Sequence, residues 1–175
     1  PEGVPLSYAV AGAFELPLDA KQQLLESRDE AERLGMVAEL LMDASNRHHR
    51  LGARIHDVGH PHWREDLQII VGHAGRKVAY IVLPKVASAD DALTQIVALD
   101  EVRALYNIER EIPVHVLIET PGALHEVWQI AALPHVESID FGLMDFVSAH
   151  HGAIPGSAMR SPGQFEHPLV ARAKA

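Results

Sequence analysis

Apolar positions along this chain switch repeatedly between two periods. Short β-branched runs alternate with longer stretches in which apolar residues recur every three or four positions, the signatures of buried strands and amphipathic helices. Strands are predicted at Gly52-Ala53-Arg54-Ile55-His56, at Lys77 to Leu83, at Val114 to Ile118 and in the run Ser138-Ile139-Asp140-Phe141-Gly142. Between them the pattern predicts helices. A helix-rich stretch runs from Leu18, where Asp19 can cap, to about His48, with Gly35 a candidate divider, and another helix runs from His62 towards His73. A long helix follows the cap Ser88, with Ala92, Ile96, Leu99, Val102 and Tyr106 inward, and a further one starts at Pro121 with Leu124, Val127, Trp128 and Ala131 on one face. Residues 1–17 show no clear period beyond a short strand near Tyr8-Ala9-Val10, and the chain turns loop-like after Asp145.

Strands of nearly even spacing alternating with helices predict βαβ units and a parallel sheet. Right-handed crossovers leave an open doubly wound sheet or a (β/α)8 barrel. No G-x-G-x-x-G or G-x-x-x-x-G-K loop follows any strand, which weakens the nucleotide-binding alternative. Polar residues instead stand at successive strand ends, Arg54, Lys85, Glu119 and Asp145, and a barrel builds its site on that rim. A whole barrel takes about 250 residues. The 175 residues here are therefore read as one incomplete barrel domain, roughly four or five of the eight units.

Composition narrows the partners. The hydrophobic share of 47% supports one sizeable core, and a net charge of −9 argues against a nucleic-acid surface. The absence of Cys removes thiolate metal sites and Cys nucleophiles and suits a reducing, cytoplasmic setting. Nothing resembles a membrane helix, and Pro1-Glu2-Gly3-Val4-Pro5 lacks the basic and apolar regions of a signal peptide, so a soluble protein is expected.

The strongest chemical signal is the pair Glu119 and Asp145, two carboxylates at the exits of adjacent strands. Such a pair suits Mg²⁺, which takes one or two carboxylates and leaves its other positions to water and substrate. Each acid has a plainer alternative at the start of a helix, where its charge suits the dipole. Arg54 lies within an apolar strand, where its planar fork suits a substrate carboxylate or a structural ion pair. Lys85 could pair with Glu119, bind an anion or form a Schiff base. The segment from Arg47 to Lys85 also holds Arg50, Arg54, Arg64, Arg76 and Lys77, a local basic run in an acidic chain. His48, His49, His56, His60 and His62 crowd one region and His150-His151 another, but none follows a strong zinc spacing. Trp63 and Trp128 read as packing residues, and no G-x-S-x-G elbow exists.

At these residues the chain resembles the citrate lyase beta-subunit-like and HpcH/HpaI aldolase family, which includes malyl-CoA lyases. The segments that carry the resemblance are Ala53-Arg54-Ile55-His56, Ile81-Val82-Leu83-Pro84-Lys85-Val86, Leu117-Ile118-Glu119-Thr120-Pro121-Gly122-Ala123-Leu124 and Asp140-Phe141-Gly142-Leu143-Met144-Asp145-Phe146, and the tail 166–174 resembles the start of the helix that precedes the family's next strand. The resemblance implies a (β/α)8 TIM barrel of the phosphoenolpyruvate/pyruvate type. It implies Glu119 and Asp145 as Mg²⁺ ligands, Arg54 and Lys85 as catalytic residues, and Arg54 as the clamp on the substrate carboxylate. The turn Gly142-Leu143-Met144 would border the substrate oxygens. The family's arginine segment usually reads Arg-x-Asn, and here His56 stands in the place of the Asn.

The implied reaction is carbon–carbon bond cleavage or formation of the retro-aldol or Claisen type. Its substrates would be a hydroxyacyl-CoA or related hydroxy acid, with a 2-oxo acid such as glyoxylate, pyruvate or oxaloacetate as product, in a homo-oligomer, a trimer or hexamer. Alternatives are a metal-dependent 2-oxo acid aldolase that does not use CoA, and a non-catalytic barrel paralogue acting as a binding subunit. The sequence assigns no general base.

Overall fold

The computed structural model describes residues 18–43 and 51–175. The strand expected near Tyr8-Ala9-Val10, and the stretch from Ala44 to His48, lie outside the described residues.

The helix-rich stretch divides into α1 (Leu18–Glu26) and α2 (Glu30–Met42). The break falls at 27–29 and not at Gly35, which lies inside α2. Local capping chemistry decides it: the Asp29 side chain accepts from the Glu32 N–H at 2.8 Å, while Ser27 Oγ donates to Glu32 Oε2 at 2.5 Å. Four strands follow, β1 (Ala53–Arg54), β2 (Ile81–Leu83), β3 (Val114–Ile118) and β4 (Val136–Phe141). They alternate with α3 (Trp63–Ala74), α4 (Ala89–Leu105) and the pair α5 (Pro121–His125) and α6 (Val127–Ala131).

All three ladders are parallel, and the strand order is β1-β2-β3-β4. Unlike a doubly wound sheet, this order has no switch point. Right-handed crossovers that always step the same way lay every helix on one face, as in a barrel wall. Accordingly α2 packs on α3, α3 on α4 and α4 on α6. Ile81, Leu83, Val114, Val116 and Ile118 are buried towards this helical layer. The alternate residues Arg54, Val82 and His115, which share register, face the opposite side together with Leu117. A register shift beside Val114/His115 places Ser138 opposite His115 and Asp140 opposite Leu117 on that same side.

Two expected packing faces are corrected. In α4, Ala92, Ile96, Leu99 and Val102 are buried as predicted, but Tyr106 caps the helix end and is exposed, and Gln95 joins the buried set. The helix that starts at Pro121 breaks at Glu126, whose Oε2 accepts from the Ala89 N–H at 2.8 Å. This break rotates the following turn, so Trp128 is 83% exposed while Ile130 is buried; Trp63 packs as expected. The loop expected beyond Asp145 is broken up by α7 (Leu143–Ser148), a 3₁₀ turn (Gly156–Met159) and α8 (Gly163–Glu166), while the helix expected in the tail is present as α9 (Pro168–Lys174). Phe146, Val147, Ile154, Ala158 and Val170 form a second, smaller core that holds these turns together. Among the described residues, no helix is long and apolar enough to cross a membrane.

Candidate active site

The polar residues gather where β2, β3 and β4 end. Glu119 follows the last residue of β3, and strand alternation turns its side chain away from the helices, to the side of Leu117. It is nonetheless only 5% exposed. Oε2 accepts the backbone N–H of Lys85 at 2.9 Å, a bond delivered by the chain as it leaves β2. Lys85 has a φ of 50°, the left-handed region that a non-glycine residue occupies only at some cost in energy, so the donor is fixed by a strained turn.

The other side of Glu119 rests on Gly142. A Cβ at that glycine would lie 2.3 Å from Glu119 Cγ and 2.4 Å from Oε1, so the space beside β4 exists because residue 142 has no side chain. The N–H of Gly142 is already given to the Ile118 carbonyl at 3.1 Å. Of the turn expected to border substrate oxygens, it is therefore Leu143 and Met144 at the start of α7 whose N–H groups lack helical acceptors.

Thr120 answers the helix-start alternative for Glu119. Its hydroxyl oxygen accepts from the Ala123 N–H at 3.0 Å, capping α5, and donates to the Val86 carbonyl at 2.8 Å. Glu119 is thus freed from capping. Burial pushes its carboxyl above the usual carboxylate range, and the nearby Asp145 charge pushes the same way; the Lys85 N–H bond and the charges of Arg54 and Lys85 oppose it.

Asp145 lies in the first turn of α7, with Oδ1 3.4 Å from Lys85 Nζ; both side chains are about half exposed. Lys85 therefore reaches Glu119 through its backbone and Asp145 through its ammonium. Arg54 stands half-buried on the same face of the sheet, close enough for its charge to act on Glu119, and makes no hydrogen bond or ion pair among the described residues. Arg54, Lys85, Glu119, Gly142 and Asp145 thus share one rim.

Among the described residues no group of three or more His, Asp or Glu side chains converges to hold a metal ion. The donors the rim offers are the oxygens of two carboxylates, one held over a glycine and one at the half-exposed edge. Such a set suits a hard cation that completes its shell with water and substrate, as Mg²⁺ does, and not a closed structural zinc site.

A second acid–base group stands at the exit of β1 and has no counterpart among the residues expected to act. His56 Nδ1 lies 2.7 Å from Asp66 Oδ2, which also accepts the His56 backbone N–H at 2.8 Å. Asp66 is 1% exposed. Gln95, fully buried in α4, donates to the His56 carbonyl at 3.1 Å. One signal for this group was present in the sequence. Asp66 falls on the buried stripe of α3, in phase with Trp63, Leu67, Ile70 and Ala74, where an acid requires a partner.

The sequence model described as HpcH/HpaI aldolase/citrate lyase matches residues 18–154. The L-malyl-CoA/beta-methylmalyl-CoA lyase of Rhodobacter capsulatus is 24% identical over 150 residues, covering 85% of this chain and 46% of the lyase. Among solved structures, a citrate lyase from Burkholderia xenovorans LB400 is 50% identical with a TM-score of 0.81, covering 85% of this chain and 47% of that one. RipC from Yersinia pestis shares the fold at 20% identity, with a TM-score of 0.53 over 91% of this chain and 58% of that one. The chain spans about half the length of the curated lyase and of the citrate lyase, at 46% and 47%.

Proposed function

The chain belongs to the HpcH/HpaI aldolase/citrate lyase family, and on that premise we propose that it serves a Mg²⁺-dependent carbon–carbon lyase that cleaves or forms a hydroxyacyl thioester, with a 2-oxo acid such as glyoxylate, pyruvate or oxaloacetate as the second product. The observation that carries this reading is Glu119, a buried carboxylate relieved of helix capping by Thr120 and cradled by Gly142. Burying an acid is costly unless its charge is used. The malyl-CoA lyase among the relatives supports a thioester substrate, and the free hydroxy acid is the narrower alternative.

Glu119 and Asp145 would hold the cation. When bound, Mg²⁺ supplies Lewis-acid polarisation of a substrate carbonyl and carboxylate. Arg54, whose guanidinium has no hydrogen-bond or ion-pair partner among the described residues, clamps the anion from the same face, its fork matching a carboxylate edge. Lys85 fixes Glu119 through its N–H and screens Asp145 until substrate arrives.

One observation favours a second reading, a binding subunit without catalysis: Lys85 Nζ already neutralises Asp145 at 3.4 Å. A lyase assay separates the two. The protein is given a hydroxyacyl-CoA or the matching free hydroxy acid, and 2-oxo acid release is followed with Mg²⁺ and again with excess chelator. Release that depends on Mg²⁺ and favours the thioester is expected; binding of either compound without turnover supports the binding subunit instead.

A further inference from the structure

Resting on the lyase reading, we propose that His56, oriented by Asp66, is the residue that carries the proton in the carbon–carbon bond step, with Nε2 as the working atom. Along β1 and its continuation, Ala53 and Ile55 are buried while Arg54 is half-buried and the His56 side chain is 19% exposed. His56 thus stands two residues beyond the proposed substrate clamp, at the end of the sheet where the site lies, with its ring held by Asp66 of α3.

His56 is held more firmly than packing requires. Its N–H and its Nδ1 both meet Asp66 Oδ2, and its carbonyl accepts from the buried Gln95. Neighbouring helices thus fix the backbone and the ring together, leaving Nε2 without a partner among the described residues. With Nδ1–H donated to a buried carboxylate, the neutral ring presents a lone pair at Nε2, and the carboxylate stabilises the imidazolium formed when that nitrogen takes a proton. The titratable groups facing His56 are Asp66 from α3 and His60 from the connecting loop, whose ring stacks on it at 3.8 Å between centroids; Gln95 from α4 is neutral. Burial pushes the His60 imidazole down and so favours its uncharged form beside His56.

In the cleavage direction the hydroxyl proton of the substrate passes to Nε2 and the carbon–carbon bond breaks. The hydroxyl oxygen becomes the carbonyl of the oxo product, and the electron pair of the broken bond becomes the thioester enolate. The imidazolium then returns the proton to the enolate carbon. Proton and electron pair balance without a further reactant.

The test measures kcat and KM against pH for the wild type, His56→Gln and Asp66→Asn, with ¹⁵N NMR of the imidazole to read its tautomer and circular dichroism to confirm folding. His56→Gln should lower kcat by about 10²–10⁴-fold, the span of general acid–base catalysis, with KM little changed and the acidic limb of the kcat profile gone. Asp66→Asn should move the ring proton from Nδ1 to Nε2 and lower kcat with it. An active wild type whose His56→Gln or Asp66→Asn variant, folded, keeps its kcat and pH limb overturns the role of His56 and leaves the lyase reading standing. A wild type that turns over neither thioester nor free acid overturns the lyase reading, and the role of His56 falls with it.

Discussion

Two buried carboxylates, Glu119 and Asp66, show how one chemical group is put to different uses at two strand exits. Both are nearly inaccessible, at 5% and 1% exposure, and burial raises the pKa of each. Asp66 comes from a helix and spends Oδ2 on two donors of a single residue, His56. Glu119 comes from a strand, takes one backbone N–H at Oε2, and keeps Oε1 over Gly142 without a protein hydrogen-bond donor among the described residues. Burial alone therefore does not separate the two acids. What separates them is the neighbour: a histidine ring against Asp66, and against Glu119 a glycine whose missing side chain leaves room for the carboxylate.

Filling that space gives the largest effect. Gly142→Ala puts a methyl group where Glu119 Cγ stands, 2.3 Å away. Overpacking of this kind costs about 1–3 kcal/mol, read as a lower midpoint in urea, and Mg²⁺ affinity should fall because the carboxylate is turned aside. Alanine accepted with neither change would mean the cradle is not needed.

Acid titration sharpens the contrast next. The raised carboxyl of Glu119 takes up a proton at higher pH than an ordinary glutamate, so Mg²⁺ affinity should decline on acidification while solvent-exposed carboxylates are still ionised. For stability the sign is opposite. A carboxyl raised in the folded state makes folding less favourable as pH climbs from its unfolded pKa through its folded one, so the metal-free protein should lose stability across that window. Calorimetric Mg²⁺ titrations and urea midpoints taken at several pH values check both slopes.

The smallest effect belongs to the half-exposed edge. Lys85→Ala removes the 3.4 Å contact to Asp145 but keeps the backbone N–H on Glu119. Exposed pairs are worth about 0–1 kcal/mol, so stability should scarcely move, while Mg²⁺ affinity rises modestly as a competing cation leaves Asp145. Weaker Mg²⁺ binding in this variant would assign the ammonium a direct part in the site.

Much of this layout is legible from residue order. The β3 run with Glu119 at its end, the Ser88 and Pro121 helix starts, and the even spacing of strands follow from local periodicity and capping, and the observed ladder adopts them. What local pattern misses is set by contacts distant in sequence. Glu126 breaks its helix in order to receive Ala89, 37 positions away, and that rotation turns Trp128 outwards. The turns after Asp145 are helical because Phe146 and Val147 find Ile154, Ala158 and Val170, a core too small and discontinuous to show as a period. Asp66 is an intermediate case: its place on an apolar stripe is visible, but its partner ten positions earlier is not.

The most direct measurement is isothermal calorimetry of Mg²⁺ with the wild type and Glu119→Gln, paired with thermal unfolding of both metal-free proteins. Gln keeps an oxygen for the Lys85 N–H and removes only the buried charge. Mg²⁺ heat present in the wild type and absent in the variant, together with an unchanged or higher Tm, is the expected result, since an acid retained against stability is retained for its ligand. Equal Mg²⁺ binding in both proteins, or a variant that binds nothing because it no longer folds, would contradict the account and make Glu119 a structural residue.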